Sequence, residues 1–161
     1  MGKKQEKTNV MRLLEQKKIS YNEYVCEEAE GLNGLEIAER MGQNPNQAFK
    51  TLVTIGATKK NYVFVVPVNC ELDLKKAAKA VGEKNIEMIK TKELLPLTGY
   101  IHGGCSPIGM KKQLLTTFHI SASEFETIIF SGGKVGYQVE VKVSDIEKML
   151  SYQMADIVVR D

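Results

Sequence analysis

The sequence predicts one α/β domain of the α+β type, in which helices flank a mixed, barrel-like β-sheet. Three observations lead to this class. Short runs with the two-residue alternation of strands recur along the chain, helical patterns separate several of them, and Gly, Asn or Pro marks the junctions. The 161 residues, 43% hydrophobic and 26% charged, suit one globular unit. Residues 1–161 are therefore expected to form a single domain.

The N-terminal half contains two predicted helices and three predicted strands. Thr8 or Asn9 caps the first helix, and the second begins after Asn33 and stops at Gly42, since these residue types favour helix ends. Alternating β-branched and aromatic residues mark the strands, the last two of which form a hairpin. The helices are predicted over 8–18 and 35–41, and the strands over 21–25, 49–56 and 62–68.

The C-terminal half has the same mixed character. A helix from Asp73 ends at Gly82, a helical turn precedes Thr98, and Ser144 begins a closing helix. Turn residues at 132–135 join two of the strands. The helical segments are predicted over 73–81, 92–97 and 144–150, and the strands over 86–89, 114–120, 127–131 and 136–143.

The charge balance does not by itself identify a partner. Net charge is +2, from 22 basic and 20 acidic residues, so the whole chain lacks a strong nucleic-acid signature. Local basic patches are nevertheless predicted. They comprise Lys75, Lys76 and Lys79 on one helix, and Lys111 and Lys112 further on.

Cysteine usage and apolar-run lengths point to a cytoplasmic protein. Three cysteines without any C-x-x-C spacing indicate reduced thiols. No apolar run is long enough to cross a bilayer, and the polar start at 2–7 lacks the apolar core of a secretory signal. No membrane association is expected.

Lys50 is the most informative single position, because it interrupts the apolar run 49–53. Strand alternation places it on one face with Leu52 and Thr54. Since an ammonium is costly to desolvate, this position predicts a pocket for an oxygen-rich or carbonyl ligand. A strand-edge lysine that reaches solvent is the alternative interpretation.

The loop Gly103–Pro107 is the second candidate feature. Its glycines allow main chain to approach a ligand closely, and Pro107 stiffens the turn. Backbone N–H groups here would face the carbonyl of such a ligand and stabilise an oxyanion that forms on it, with Lys50 as a nearby point charge. An ordinary surface turn is the alternative.

His102 and Cys105, three residues apart, suggest either a metal site or a Cys/His nucleophile. Zinc requires three or four ligands, and Cys26, Cys70 and His119 supply no second short-spaced pair. No group is evident to orient His102 as a base. We therefore expect no metal and no organic cofactor, with Cys105 as a small packed side chain.

Several segments, in order, resemble the YbaK/EbsC family of aminoacyl-tRNA deacylases. The resemblance runs from the first helix to Asp156-Ile157 and implies the mixed barrel of the YbaK and prolyl-tRNA synthetase editing domains, with flanking helices. The segments are Phe49-Lys50-Thr51-Leu52-Val53, Glu71-Leu72-Asp73-Leu74-Lys75-Lys76-Ala77-Ala78-Lys79, Thr98-Gly99-Tyr100-Ile101, Gly103-Gly104-Cys105-Ser106-Pro107-Ile108-Gly109 and Ser131-Gly132-Gly133-Lys134.

The resemblance implies hydrolysis, in trans, of mischarged Cys-tRNA(Pro) by placement of the ester carbonyl. The substrate's own thiol is the alternative to water as the nucleophile. Attack by this thiol would make the protein a lyase rather than an ester hydrolase. The implied partners are tRNA(Pro) and prolyl-tRNA synthetase. Lys75, Lys76 and Lys79 either contact phosphates of the tRNA or form an ordinary solvated helix face. We expect a monomer or weak homodimer.

The resemblance also assigns site residues. Cys26 stands where the family often has tyrosine, Gln138 where it often has an acidic residue, and Cys105 where it usually has an aliphatic one. The expected catalytic residues are Lys50, Gly103 and Ser131, and the expected substrate-binding residues are Thr51, Gly104, Cys105, Ser106, Pro107, Cys26 and Gln138.

Two other functions remain open on the sequence alone. A module of the same fold would bind tRNA, a nucleotide or a protein without turnover. A deacylase for Ala-tRNA(Pro) would differ only in pocket volume.

Overall fold

The computed structural model describes residues 7–160, so most of the polar N-terminal segment at 2–7 lies outside the described residues. The strands are β1 Tyr21–Val25, β2 Phe49–Gly56, β3 Asn61–Pro67, β4 Ile86–Met88, β5 Leu115–His119, β6 Thr127–Ser131, β7 Tyr137–Lys142 and β8 Tyr152–Ala155. The helices are α1 Asn9–Gln16, α2 Gly34–Arg40, α3 Leu74–Val81, α4 Thr91–Thr98 and α5 Val143–Ile146, with a 3₁₀ turn at Ile120–Glu124.

The strands form two sheets. Five strands follow the order β4-β2-β3-β5-β8, and three follow the order β1-β7-β6. The pairs β3–β5 and β5–β8 are parallel, and the other strand pairs are antiparallel. The α/β class with flanking helices is confirmed. Within residues 7–160 the barrel is not closed, because the chain at the start of β2 meets β6 through a single bridge, between Ala48 and Ile129.

The main core lies where the two sheets and α1 meet. Strand alternation directs one side chain in two from each sheet into this space, and α1 adds an apolar face. Burial of this set is the main stabilising contribution to the fold. It includes Val10, Met11, Leu14, Phe49, Val53, Val63, Val65, Phe118, Ile128, Phe130, Val139 and Val141.

The opposite face of the five-stranded sheet is covered by two helices. Ala77 and Ala78 of α3 pack on the aromatic and aliphatic residues of β3, including Phe64 and Val66. Ala38 of α2 packs in a smaller cluster with Ala48, Val68 and Ile129. The two helices therefore cover different ends of the same sheet face.

Capping residues explain where these two helices begin. Asn33 and Glu36 form a reciprocal capping box at α2, and the carboxylate of Asp73 accepts hydrogen bonds from two N–H groups of α3. Gly82 ends α3 in the left-handed conformation at φ +74°. The predicted caps Asn33 and Asp73 and the predicted stop at Gly82 are confirmed. The prediction that Ser144 begins the closing helix is wrong, because α5 begins at Val143 and has no side-chain cap.

The C-terminal region differs from the prediction. The helix expected over 144–150 is only α5, after which the chain continues in tight turns that keep Ile146 and Leu150 buried. Strand β8 was not predicted, because four residues of alternation are too short a signal. Among residues 7–160, no helix is long and apolar enough to cross a membrane.

Candidate functional site

Lys50 lies between the two apolar clusters on the helix-covered sheet face. It pairs with Val66 of the α3 cluster and stands two residues after Ala48 of the α2 cluster. Its side chain is half-buried, and within residues 7–160 its ammonium makes no hydrogen bond or ion pair. Burial raises the pKa of the nearby Cys70 thiol, while the ammonium of Lys50 opposes that rise. The ammonium of Lys50 is therefore unpaired within the described residues, at a position that is only partly exposed to water.

The bridge between the sheets places Lys50 beside Ser131. The N–H of Ile129 donates to the carbonyl of Gln47 at 3.0 Å, and Ala48 and Ile129 form a parallel bridge. Lys50 and Ser131 each follow this bridge by two residues in the same direction. Because alternate strand residues share a face, both side chains point to the side on which α2 packs. These two predicted catalytic residues are thus brought together by the junction of the sheets.

The turn after β6 organises the rest of the site. The Ser131 hydroxyl accepts a hydrogen bond from the N–H of Gly133 at 3.1 Å. Gln138 pairs directly with Ser131 across the β6–β7 ladder. Its amide exchanges two hydrogen bonds with the amide of Gln43, at 2.8 and 3.2 Å, which connects the chain after α2 to β7.

The loop Gly103–Pro107 packs on the same turn. A Cβ at Gly104 would lie 3.0 Å from the N of Val135, so the two main chains are in close contact. The N–H of Gly104 donates to Ile101, whereas those of Gly103 and Cys105 donate to no acceptor within residues 7–160. Gly103 has φ +87°, a conformation that favours glycine. Unpaired N–H groups are therefore available, as the oxyanion hypothesis requires.

The side chains beyond Gly104 point inward. Ser106 is fully buried, and its hydroxyl accepts a hydrogen bond from the N–H of Ile108 at 3.3 Å. Pro107 is buried, and Cys105 belongs to the main core. A substrate would therefore contact these three residues only through their main-chain atoms.

Cys26 lies on the other side of the turn. Its N–H donates to the carbonyl of Gly136 at 2.7 Å. Together with the exposed Glu28 and Glu30, it lines an open cavity of about 440 Å³, which Val135 also lines. Since Val135 also contacts the Gly103–Gly104 segment, this cavity borders the candidate site.

Thr51 is the predicted site residue that the structure separates from the others. It lies between Phe49 and Val53 on the core-facing side of β2, opposite to Lys50. Its hydroxyl oxygen is buried and has no hydrogen-bond partner in the described chain. Its proximity to Lys50 in sequence therefore does not place both side chains in one pocket.

The thiol of Cys105 is a poor nucleophile in this environment. Burial raises the pKa of Cys105 to about 12, so the reactive thiolate is scarce at neutral pH. No group of three His, Cys, Asp or Glu side chains suited to a metal ion occurs within the described residues. The site as built consists of an ammonium, hydroxyl and amide side chains, and backbone N–H groups.

Sequence reasoning missed three polar residues on this face. Tyr24 pairs with Gln138, and its hydroxyl donates to Glu140 at 2.6 Å. Gln43 reaches the same strand from the chain after α2. Pairing across β1 and β7 brings residues together that are more than 90 positions apart, and no local pattern in the sequence reports such a contact.

Comparison with known proteins agrees with this architecture. A protein of Enterococcus faecalis (strain ATCC 700802 / V583), named "Putative Cys-tRNA(Pro)/Cys-tRNA(Cys) deacylase EbsC", is 46% identical over 160 residues, covering 99% of this chain and 98% of its own. A solved structure described as "a putative trans-editing enzyme for prolyl tRNA synthetase" shares the fold at TM-score 0.80 and 23% identity, covering 94% of this chain and 95% of its own.

A second solved structure, of the hypothetical protein APE2540, matches at TM-score 0.83 with 17% identity over 93% of this chain and 99% of its own. At these identities both structures speak for the fold alone. The family model described as "Aminoacyl-tRNA editing domain" matches residues 33–149, which include Lys50, the Gly103–Pro107 loop and Ser131. The chain therefore belongs to the aminoacyl-tRNA editing domain family.

Proposed function

We propose that this protein removes cysteine from mischarged Cys-tRNA(Pro), acting in trans to the synthetase that made the error. The 46% identical Enterococcus relative, whose name includes Cys-tRNA(Pro) deacylation, supports this choice of substrate. One structural observation supports the chemistry most strongly. The unpaired ammonium of Lys50 lies at the sheet junction beside Ser131, next to a turn whose neighbouring loop has unpaired N–H groups.

Deacylation needs placement of the ester more than it needs a strong base. The N–H groups of Gly103 and Cys105 are suited to stabilise the oxyanion that forms at the ester carbonyl, a contribution of about 3 to 4 kcal/mol per good donor. Lys50 would hold the ester or the adjacent phosphate by charge. Ser131 would orient a ribose hydroxyl or the attacking group.

Two nucleophiles are compatible with this site. In hydrolysis, water attacks the carbonyl carbon, the bond to the ribose oxygen breaks, and free cysteine leaves with the proton returned to the ribose. In the lyase route, the substrate's own thiol loses its proton and attacks the same carbon, and the bond to the ribose oxygen breaks. The cysteine leaves as a cyclic thioester, and the ribose oxygen takes up a proton. The second route needs no group from the protein beyond placement.

The rim of the 440 Å³ cavity suits the amino group of an aminoacyl ester. Glu28 and Glu30 place negative charge at the rim, which favours an ammonium and disfavours a phosphate. The carboxylates at the cavity thus favour a positively charged group of the substrate, whereas Lys50 favours a negatively charged one. This arrangement would orient the aminoacyl group with its ammonium toward Glu28 and its ester toward Lys50.

Contacts with the tRNA body would come from helix α3. Lys75 and Lys79 are exposed, whereas Lys76 is engaged by Asp156 at 3.2 Å and by the carbonyl of Val158 at 3.0 Å. We therefore assign phosphate contacts to Lys75 and Lys79 rather than to Lys76. Prolyl-tRNA synthetase remains the proposed partner that selects the tRNA.

The proposal is tested by following deacylation of Cys-tRNA(Pro), Ser-tRNA(Pro), Ala-tRNA(Pro) and Pro-tRNA(Pro), with and without prolyl-tRNA synthetase. We expect rapid loss of cysteine and slow loss of proline. Because serine replaces the thiol by a weaker nucleophile, cysteine loss much faster than serine loss supports the lyase route, and equal rates support hydrolysis by water. Preferential loss of alanine would redirect the substrate assignment, and tRNA binding without turnover would indicate a binding module.

A further inference from the structure

A carboxylate next to the site links all three strands of the smaller sheet. Glu140 of β7 is half-buried and accepts a hydrogen bond from the Tyr24 hydroxyl of β1 at 2.6 Å. It also accepts one from the Thr127 hydroxyl of β6. One side chain therefore fixes the relative positions of β1, β7 and β6.

The same network continues into the five-stranded sheet. The side-chain amide of Gln47 donates to the carbonyl and hydroxyl oxygens of Thr127, at 2.9 and 3.0 Å, and its main-chain carbonyl accepts from the N–H of Ile129 at 3.0 Å. Gln47 directly precedes Ala48, where the isolated bridge to Ile129 joins the two sheets. We call Tyr24, Glu140, Thr127 and Gln47 the junction network.

We propose that Glu140 is a positioning residue of the deacylation site, which sets the separation of Lys50 and Ser131 through the junction network. Both residues lie two positions beyond the Ala48–Ile129 bridge, so movement of β6 against β2 at that bridge changes their separation. Glu140 pairs with Ile129 across the ladder, and within residues 7–160 its carboxylate hydrogen-bonds to none of the proposed reacting groups. This inference rests on the proposed function.

Its charge makes Glu140 effective in this role. Burial pushes the pKa of Glu140 up, but side-chain hydrogen bonds from Thr127, Tyr24 and Asn22 together outweigh that effect and leave the pKa below its ordinary value of 4.5. The carboxylate is therefore ionised at neutral pH. Hydrogen bonds to an ionised acceptor are stronger and shorter than neutral ones, so they restrict motion at the junction more tightly.

A chemically matched group lies at the opposite end of β2. Glu83 accepts hydrogen bonds from the Tyr62 hydroxyl at 2.6 Å, from the N–H of Thr58 at 3.1 Å and from the Thr58 hydroxyl. We call Glu83, Tyr62 and Thr58 the far anchor. It has the same Tyr–Glu–Thr chemistry as the junction network but lies beside Gly56, six residues along β2 from Lys50.

The test compares Glu140→Gln with Glu83→Gln, each measured for kcat and KM on Cys-tRNA(Pro) and for thermal stability. We expect both variants to lose stability, but only Glu140→Gln to lose kcat, by about 10- to 100-fold with little change in KM, because small misplacements of reacting groups cost that much. Equal kcat in the two variants would overturn the proposal. If Glu140→Gln does not fold, Tyr24→Phe takes its place in the comparison, because it removes only one hydroxyl of the junction network and is expected to lower kcat in the same way.

A second measurement is independent of turnover. Native-state hydrogen exchange at the N–H of Ile129, which bonds to Gln47, reports directly on the junction. Faster exchange in Glu140→Gln than in Glu83→Gln supports the positioning role even if the wild type deacylates no ester, in which case only the proposed function fails. Equal exchange in the two variants overturns the positioning role whatever the activity.

Discussion

The two ends of strand β2 are anchored by the same side-chain chemistry but differ in what they leave unpaired. At the Gly56 end, Glu83 of the far anchor accepts hydrogen bonds from Thr58 and Tyr62. Its carboxylate also fills the space that a Gly56 side chain would occupy. At the other end, the ammonium of Lys50 and the hydroxyl of Thr51 lack partners within the described residues. The Gly56 end contributes stability, whereas the Lys50 end also keeps an unpaired ammonium that is able to bind a ligand.

This difference shows how the site can be recognised in physical terms. Native proteins pair nearly all of their buried polar groups, so an unpaired group indicates either a cost or a ligand. Here Lys50 lies beside the junction network, whose polar side chains hydrogen-bond to one another, so a general defect in packing at this junction is a poor explanation. Substitutions at the two ends should therefore separate stability from activity.

The largest contrast is expected between Lys50→Ala and Lys60→Ala. Removing Lys50 takes away the cation at the sheet junction, and we expect deacylation to fall roughly 100-fold or more, since a charge placed at a reacting ester strongly stabilises its transition state. Thermal stability should not fall, because the lost ammonium made no hydrogen bond or ion pair within residues 7–160.

Lys60 is the control, because it is exposed in the turn before β3 at the far end of β2. Its replacement should leave kcat/KM unchanged. Full activity in Lys50→Ala would remove Lys50 from the proposed site while leaving the deacylase function in place.

An intermediate contrast is expected between Gly104→Ala and Gly56→Ala. An added Cβ at Gly104 would press on the main chain of Val135, which cannot rotate away, so the Gly103 N–H shifts and kcat falls about tenfold or more. At Gly56 the Cβ would overlap the carboxyl group of Glu83, breaking the far anchor at a cost of about 1 to 3 kcal/mol.

Specific activity per folded molecule separates these two glycine variants. Gly56→Ala should keep it, and Gly104→Ala should lose it. If Gly56→Ala also reduced specific activity, the two ends of β2 would be coupled, and stability and activity would not be separable along this strand.

The smallest contrast concerns pH, where the two ends should behave alike. Hydrogen bonds from Thr58 and Tyr62 lower the pKa of Glu83, and the pKa of Glu140 is also lowered. A carboxyl whose pKa is lower in the folded state binds its proton more readily when unfolded. Its stabilisation is therefore complete above 4.5 and is lost as pH falls through the folded-state pKa.

Urea unfolding between pH 7 and about pH 3 measures this effect. The wild type should lose stability steadily below 4.5, and Glu83→Gln and Glu140→Gln should each flatten part of that loss. A variant whose stability falls as steeply as the wild type would show that its carboxylate does not contribute.

Local patterns were sufficient for most of the fold. Strands β1, β2 and β6 begin and end at the predicted residues, and the caps at Asn33 and Asp73 lie where their side-chain chemistry placed them. These features depend on alternation and on side-chain hydrogen bonds within a few residues. The parallel pairing of β8 with β5 depends on distant chain segments, and it was missed.

The candidate site was predicted in part. Lys50, Ser131 and the Gly103–Gly104 loop are gathered around the turn after β6, whereas Thr51 faces the core. Strand alternation had already placed Thr51 and Lys50 on opposite faces, and the structure shows that no other element within residues 7–160 brings them together. The assignment of catalytic roles to these residues stays a prediction until the substitutions are measured.

The sequence alone determined the α/β class, the capped helices, the glycines of the loop and the isolated lysine on its strand face, because each depends on residue type and short spacing. Only the tertiary structure decided that, in the described part of the chain, two open sheets meet at a single bridge and that Lys50 comes to lie beside Ser131. It also decided that Glu140 holds the strands of the smaller sheet together next to the start of β2, while Glu83 anchors the Gly56 end of β2. These arrangements require contacts between residues far apart in the chain, which form only when burial of a shared core brings the segments together.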